Sequence, residues 1–458
     1  MIPAKAEQDK YLTALYPDPI ITPATNPKVK GARTLARSSP LVPWQRNLWS
    51  TVIAELLTLL GFTSGSILVP YYVQQMGVTG LRQVGAWTGA YQSAGAVAFA
   101  LATPIWGALG DRYGRKLMLV RAMGSAAMVL ALMGLARTPT QLMILRVIQG
   151  CLTGTPAAAS ALLATGTPRE RLGYALGLLQ TSVLVGSSVG PMFGGYIADA
   201  LGYRAAFYVA AVVVFAATLL VLLAVREPVE STVASAQARR ENPLAGFRSL
   251  LRLPRLVLLI GLVLVINLTY GLLGPVLPLY IQQLVTNPSR LASTAGTISG
   301  IAAFTGAAAA LIIGRLSDRL GHRRVLLSCL GGMALLYFPQ ALARSATMLG
   351  FFLGLQGFFQ GGLSPSTSAL VVRSAPKEKV GAALGLSSSA SSTGYALGPI
   401  LGALVMGATT PRAVYFIAGG IFTLVTLSVA ASEIPALREA FYHKDTEAKT
   451  PRIVYKPK

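Results

Sequence analysis

Acidic residues are scarce in this chain of 458 residues: 16 aspartates and glutamates stand against 39 lysines and arginines. All charged types together make up 12% of the sequence, about half the share usual in a soluble globular domain. There are two cysteines, Cys151 and Cys329, both inside long apolar stretches, which excludes a disulfide framework. Two histidines, His322 and His443, are too few and too far apart for a histidine or cysteine metal centre, so no metal site is expected. Both also fall outside the apolar stretches, so neither carries protons through their middle. No nucleophile has a base beside it and no phosphate-cradling glycine loop is present, which argues against an enzyme and against a bound cofactor. Residues 1–46 have no apolar core and are not a signal peptide, so the first apolar segment has to direct insertion.

Apolar residues are plentiful: 53% of the chain is hydrophobic, 47 residues are glycine, and the mean hydropathy is +0.58. Segments long enough to cross a bilayer, about 20 residues each, fall near 48–73, 84–110, 114–136, 140–165, 171–198 and 204–225, and again near 256–284, 292–314, 324–343, 348–372, 380–407 and 411–431. The expected fold class is an all-α membrane protein of twelve transmembrane helices in two six-helix bundles, at 47–225 and 256–431. The expected flanks are a polar N-terminal tail (1–46), a basic linker (226–255) and a polar C-terminal tail (432–458). A net charge of +23 would suit a nucleic-acid partner if it lay on one soluble face. Distributed over this topology, however, 32 basic residues fall on the side of the tails and six on the other, at Arg82, Arg137, Arg204, Arg290, Arg344 and Arg412. That is the positive-inside pattern, so both termini are expected in the cytoplasm, with the basic excess serving topology and anionic lipid rather than nucleic acid. Trp44 and Trp49 sit where an interfacial aromatic belt would begin the first helix.

The sequence also says the same thing twice. GALGDRYGRKLML from Gly107 returns as GRLSDRLGHRRVLL from Gly314, an offset of 207, and VPYYVQQ from Val69 returns as LPLYIQQ from Leu277, an offset of 208. Two halves in the same order are an architecture that secondary transporters place around a central site.

Three motifs carry mechanism. In the first, Gly107, Asp111, Arg112, Gly114 and Arg115 recur in part as Gly314, Asp318, Arg319 and Gly321. Asp111 is expected at the N-terminal end of the third helix, where the dipole favours a carboxylate. The motif reads either as a charged turn that sets topology or, because it is duplicated, as a gate in which Asp111 and Arg115 latch one conformation. In the second, LRVIQGCLTG places Arg146 among apolar residues, with Gln149 and Gly150 recurring as Gln356 and Gly357, while Arg146 itself is replaced by Leu353. A charge there is costly unless it faces a polar cavity or snorkels to an interface. The third, GSSVGPMFGG, holds Gly186, Gly190, Pro191, Gly194 and Gly195 at a spacing that lets helices meet backbone to backbone.

On these motifs the chain resembles the major facilitator superfamily over residues 44–431. Within it, VPYYVQQMGVTG (69–80), PIWGALGDRYGRKLMLVRAMG (104–124) and LRVIQGCLTGTPAAASALLAT (145–165) are similar to multidrug-resistance exporters of the MdtG type. The resemblance implies export of amphipathic small molecules against protons, by a monomer in a bacterial inner membrane, and the glycine motif resembles the antiporter signature of that superfamily. It lends no role to Glu55, which that group does not generally have.

Glu55 is nonetheless the only acidic residue expected inside a span. Burial disfavours the charged form of a carboxylate and suits it to proton exchange near neutral pH. Glu55 is therefore the leading proton carrier, with Arg146 beside it in the coupling machinery; their depths leave it open whether they pair. A substrate cavity calls for apolar walls and a few polar anchors. Candidates at mid-span are Phe62, Gln92, Gln149, Gln180, Asn267, Tyr270, Phe304, Gln356, Phe359, Gln360 and Tyr395. Pro70, Pro275, Pro278 and Pro365 are expected to interrupt their helices. A metabolite or lipid transporter on the same fold, or a sensor that moves nothing, remains an alternative reading.

Overall fold

A computed structural model describes residues 43–226, 250, 253–376 and 379–431. Most of both tails and of the linker lie outside the described residues, as do the side chains of Asp111 and Arg112. The described chain is helical throughout: α1 (Pro43–Ser64), α2 (Val69–Gln75), α3 (Leu81–Tyr113), α4 (Arg115–Leu135), α5 (Pro139–Leu152), α6 (Thr155–Gly166), α7 (Leu172–Leu201) and α8 (Tyr203–Ala224) in the first half. The second half supplies α9 (Pro254–Leu273), α10 (Val276–Leu284), α11 (Leu291–Leu320), α12 (His322–Ala341), α13 (Ala346–Ser374), α14 (Val380–Ala408) and α15 (Pro411–Ala431). Three spans are broken, between α1 and α2, α5 and α6, and α9 and α10, so fifteen helices make twelve crossings.

Seven of these crossings are long and apolar enough to cross a membrane on composition alone, or eight if α1 and α2, bent by 45°, count as one. The other four, α3, α12, α13 and α14, fall short for a visible reason. α14 carries the run Ser387-Ser388-Ser389, and α13 carries Gln356, Gln360, Ser364 and Thr367. Small and polar residues let these helices approach neighbours closely at the expense of hydropathy.

The duplication in the sequence reappears in the hydrogen bonding. The Tyr72 hydroxyl lies within 3.0–3.3 Å of the carbonyls of Met133, Gly134 and Ala136 at the end of α4. The Tyr280 hydroxyl does the same for Gln340, Ala341 and Ala343 at the end of α12, at 3.0–3.2 Å. Helix C-termini leave carbonyls without intrahelical partners, and each tyrosine offers them its one hydroxyl proton from inside its own half. Tyr72 packs on Phe207 with ring centroids 5.4 Å apart, and Tyr280 on Tyr415 at 5.3 Å. Tyr72→Phe and Tyr280→Phe are each expected to lower stability by roughly 1–2 kcal/mol. Their effects should add, because the two caps lie in different halves; thermal unfolding of the singly and doubly substituted protein checks this.

The halves meet through two related helix pairs, α7 with α11 and α3 with α14. At the end bearing Gly77 and Gly202 the contact is intimate. The Tyr71 hydroxyl donates to the Pro278 carbonyl at 2.7 Å, and Gln74 and Gln282, related by the repeat, exchange amide hydrogen bonds of 2.9 and 2.8 Å. This is the closed end. The opposite end carries the turn glycines Gly114 and Gly321, with φ of 93° and 92°, values that favour glycine.

That turn corrects one expectation. α3 runs on to Tyr113, so Asp111 lies in the last turn of α3 and not at the start of α4, because the chain reverses only where Gly114 supplies the positive φ. The expectation for Pro365 is corrected too, since α13 continues unbroken from Ala346 to Ser374. Pro70 and Pro275 do stand at helix breaks, whereas Pro278 lies inside α10.

Candidate functional site

The interior of the first half is organised by the break in the fourth span. α5 ends at Leu152, Gly154 takes φ of 134°, and α6 begins at Thr155 with Pro156 in its first turn. Glycine adopts that φ without strain, and proline suits a first helical turn because its missing N–H would have no partner there. The break aims the Thr155 hydroxyl at α1, where it donates to Glu55 Oε1 at 2.9 Å. Glu55 is fully buried, and its Oε2 has no hydrogen-bond partner. A buried oxygen without a partner is costly when charged, and a proton on the carboxyl relieves that cost.

Beside this pair lies a cavity of about 270 Å³, whose walls include Thr58, Phe62, Phe99, Arg146, Thr153 and Thr155. Arg146 points into the protein, not out to an interface. Its Nη1 donates to Gln149 Oε1 at 2.6 Å, and its guanidinium carbon lies 5.0 Å from the Tyr91 ring centroid and 5.4 Å from that of Phe62. Aromatic faces attract a cation at such distances. The Nε of Arg146 is buried without a partner. Arg146 lines this cavity from α5, and Glu55 is linked to it through the wall residue Thr155, yet no ion pair joins Glu55 to Arg146 among the described residues.

The other candidate residues scatter. Phe62 lines the Arg146 cavity, and Gln149 accepts the hydrogen bond from Arg146. Gln92 reaches across to Gly274 at the break between α9 and α10. Asn267 donates to Ser391 Oγ at 3.2 Å, tying α9 to α14. Gln356 accepts from Gln340 at 2.8 Å, Phe359 packs on Gly332 of α12, and Tyr270 sits 6.2 Å from Phe422, all three within the second half. Gln180, Gln360 and Tyr395 are exposed on α7, α13 and α14. Phe304 faces a different space, a lateral groove of about 1270 Å³ that also involves Phe351 and Phe358.

Of the duplicated motif, Asp318 lies 3.8 Å from His322 Nε2, and His322 shares a 2.7 Å hydrogen bond with Ser317. Arg319 is exposed, and Arg115 donates to the Ala161 carbonyl at 2.9 Å. The glycine motif of α7 divides its work. Gly186, Gly190 and Gly194 lie against the backbone of α1 at Leu56, Leu60 and Ser64, while Gly195 and Pro191 meet the other half at Ala292 and Gly296.

The same helix faces tell two stories at their two ends. Gly89, Gly195 and Gly296 touch the backbone of the opposite half, Gly89 at Pro399 and close to Ala403. Eighteen residues further, five turns along and therefore on the same face, stand Gly107, Gly177 and Gly314, with Gly381 and Gly385 in the same relation to Pro399 and Ala403. A Cβ built at any of these five would meet nothing within 4 Å. The halves are locked together at one end and apart at the other.

Three features escaped the sequence reading: the Thr155 partner of Glu55, the Asp199 contact taken up below, and the stacking of Arg121 on Trp106 at 3.3 Å. Only the first had a local signal, the Gly154-Thr155-Pro156 run.

Known proteins agree with this architecture. The sequence model described as Major Facilitator Superfamily matches residues 51–289 and 265–445. The multidrug resistance protein MdtG of Enterobacter lignolyticus is 34% identical over 377 residues, covering 82% of this chain and 89% of the relative. MdtG of Escherichia coli O81 is 32% identical over 385 residues, 84% of this chain and 93% of the relative. Among solved structures, the nucleoside transporter NupG superposes with a TM-score of 0.67 at 17% identity, covering 83% of this chain and 98% of that one. An inward-facing, occupied bacterial homologue of the lysosomal transporter Spinster gives 0.69 at 14% identity, covering 86% and 97%. Repeat, helix breaks, cross-half contacts and family match converge: this multi-pass membrane protein belongs to the major facilitator superfamily.

Proposed function

We propose that the protein exports amphipathic small molecules across a bacterial inner membrane in exchange for protons, by alternating access between its two halves. The observation that carries the coupling is Glu55, a fully buried carboxyl with one free oxygen, hydrogen-bonded to Thr155 in the wall of the Arg146 cavity. The similarity to proteins named for multidrug resistance supports the substrate class and the direction. In this reading the open end faces the cytoplasm, as the crowding of basic residues at that end favours. Substrate enters there from the cytoplasm or inner leaflet, the open end closes, the closed end parts, and a proton taken up by Glu55 from outside resets the carrier. The exposed polar residues Gln180, Gln360 and Tyr395 belong to the substrate path between the halves, and the Phe62–Arg146–Gln149 cluster to the coupling cavity.

The energetics suffice. One proton moving down 100 mV supplies about 2.3 kcal/mol, and one pH unit about 1.4 kcal/mol more. Together these sustain a concentration ratio of several hundredfold at one proton per substrate. In liposomes holding the purified protein, an imposed pH gradient is expected to drive transport of a fluorescent amphipathic dye, and a protonophore to stop it. Dye movement that is indifferent to the protonophore would leave a facilitator and overturn the exchange reading.

A further inference from the structure

Asp199 sits in the last turn of α7, where the helix's own dipole disfavours a carboxylate. Its compensation comes from the other half of the protein. Oδ1 accepts from the backbone N–H of Ala292 at 3.0 Å and Oδ2 from that of Ser293 at 2.8 Å. These are the second and third residues of α11, whose own N-cap residue, Arg290, provides no side-chain hydrogen bond. A helix begins with N–H groups that lack intrahelical partners and with partial positive charge, so a carboxylate bound there by two N–H groups is held by charge as well as by hydrogen bonding. Asp199 and Arg290 border the same groove, yet no ion pair between them occurs among the described residues, because the carboxylate is engaged by backbone.

Its position makes the contact more than a cap. Gly195, one turn earlier on α7, meets the Ala292 backbone, and Gly296, one turn later on α11, meets Pro191. Asp199 therefore closes the row of contacts by which α7 and α11 seal the closed end. The acidic residues of the described chain are Glu55, Asp111, Glu170, Asp199 and Asp318, and Asp199 alone lies at this end. The repeat does not duplicate it. The corresponding position in α14 is Gly407, which packs against the Arg82 side chain, and the position matching Ala292 is Gly85, which packs against Met406. One of the two related interfaces is packed by van der Waals contact alone at this point, and the other carries a charge.

We propose that Asp199 is a gating residue of the transport cycle: its carboxylate, capping α11 across the two halves, latches the closed end and must let go of α11 each time that end opens. Parting the helices hands the carboxylate and the two N–H groups to water, which satisfies both, so the latch biases the equilibrium without freezing it. The bias stands whether or not Glu55 carries the coupled proton.

The test is a distance measurement. Spin labels at Arg137 and Arg344, exposed positions of the two halves at the closed end, are introduced after replacing Cys151 and Cys329. Asp199→Asn keeps the shape but removes the charge and turns an amide N–H toward an N–H. The fraction with a widened closed end is expected to rise roughly tenfold, as losing a charge-assisted hydrogen bond implies, and Asp199→Glu is expected to restore part of the closed population. A cap serving stability alone would lower the melting temperature and leave the distance distribution unchanged, and that result overturns the latch. If Asp199→Asn fails to fold, Ser293→Pro removes one donor in a helical turn that tolerates proline and leaves Asp199 intact. The same widening is expected, and its absence counts equally against the proposal.

Discussion

Glu55→Gln is expected to abolish dye efflux driven by a pH gradient, lowering its rate at least about a hundredfold, while leaving the protein folded and still able to exchange dye for dye. The argument is structural and chemical at once. Glutamine keeps the size of the side chain and a carbonyl oxygen, so it still accepts the hydrogen bond that Thr155 makes to Glu55 Oε1. Its amide has no proton to give at any accessible pH, so the site behaves as a permanently protonated Glu55. The Oε2 position, free of partners in the native protein, receives an NH₂ that leaves donors unsatisfied and costs about 1–3 kcal/mol, a tolerable loss of stability. Dye-for-dye exchange uses only the substrate-loaded crossings, which need no proton to bind or leave at this site, and so it survives. Net export requires the empty carrier to return with its proton and then release it, and that step is lost. Efflux retaining the wild-type rate and pH dependence would make Glu55 a structural residue and sink the coupling assignment.

How much of this was legible beforehand depends on whether the signal was local. The duplicated motif, the twelve apolar segments and the basic asymmetry are all short-range or statistical patterns, and they led to the fold and to the superfamily. Tyr72 and Tyr280 lay inside the repeated VPYYVQQ and LPLYIQQ segments, yet their hydroxyls act on carbonyls about 60 residues away, and nothing in the sequence names those partners. Asp111 was assigned to the wrong helix end because a charged turn of DRYG type gives the reversal but not its phase; the positive φ at Gly114 sets that. Asp199 was passed over as one more residue at a helix end. Its meaning comes from α11, 93 residues later in the sequence. The pocket candidates fared unevenly for a related reason. Phe62, Arg146 and Gln149 share one side of neighbouring helices and come together, whereas Phe304 and Phe359 are as aromatic and as central in sequence, but the helix faces they occupy turn them to a lateral groove and to α12. Hydropathy places a residue at mid-membrane depth and says little about azimuth.

Azimuth is what the second large effect turns on. Gly177→Leu is expected to leave the present conformation as stable as before and to cut transport at least about a hundredfold. In this conformation a Cβ at Gly177 meets nothing within 4 Å and the position is exposed, so a larger side chain has open space to occupy, and leucine is the better helix former. Gly177 nevertheless lies five turns from Gly195 on the same face of α7, and Gly314 lies five turns from Gly296 on the same face of α11. Five turns span about 27 Å, close to the thickness of the hydrocarbon core. If the halves rock so that the open end closes, those faces meet as Gly195 and Gly296 already meet their partners at Ala292 and Pro191, backbone to backbone. A leucine has no room in such a contact, so the carrier is held with that end open. Gly195→Leu makes the opposite demand, because its side chain would collide with the Ala292 backbone in the conformation at hand, and it is expected to spread the closed end. Spin labels at Glu170 and Arg319, on exposed positions at the open end, should report a long distance that no substrate shortens in Gly177→Leu, and a shortened one in Gly195→Leu. Two substitutions on one face of one helix, five turns apart, would then push the equilibrium in opposite directions, which neither lost stability nor a disturbed binding site can do. Equal shifts from both, or normal transport by Gly177→Leu, would mean that these faces never meet and that the halves do not rock about the closed end.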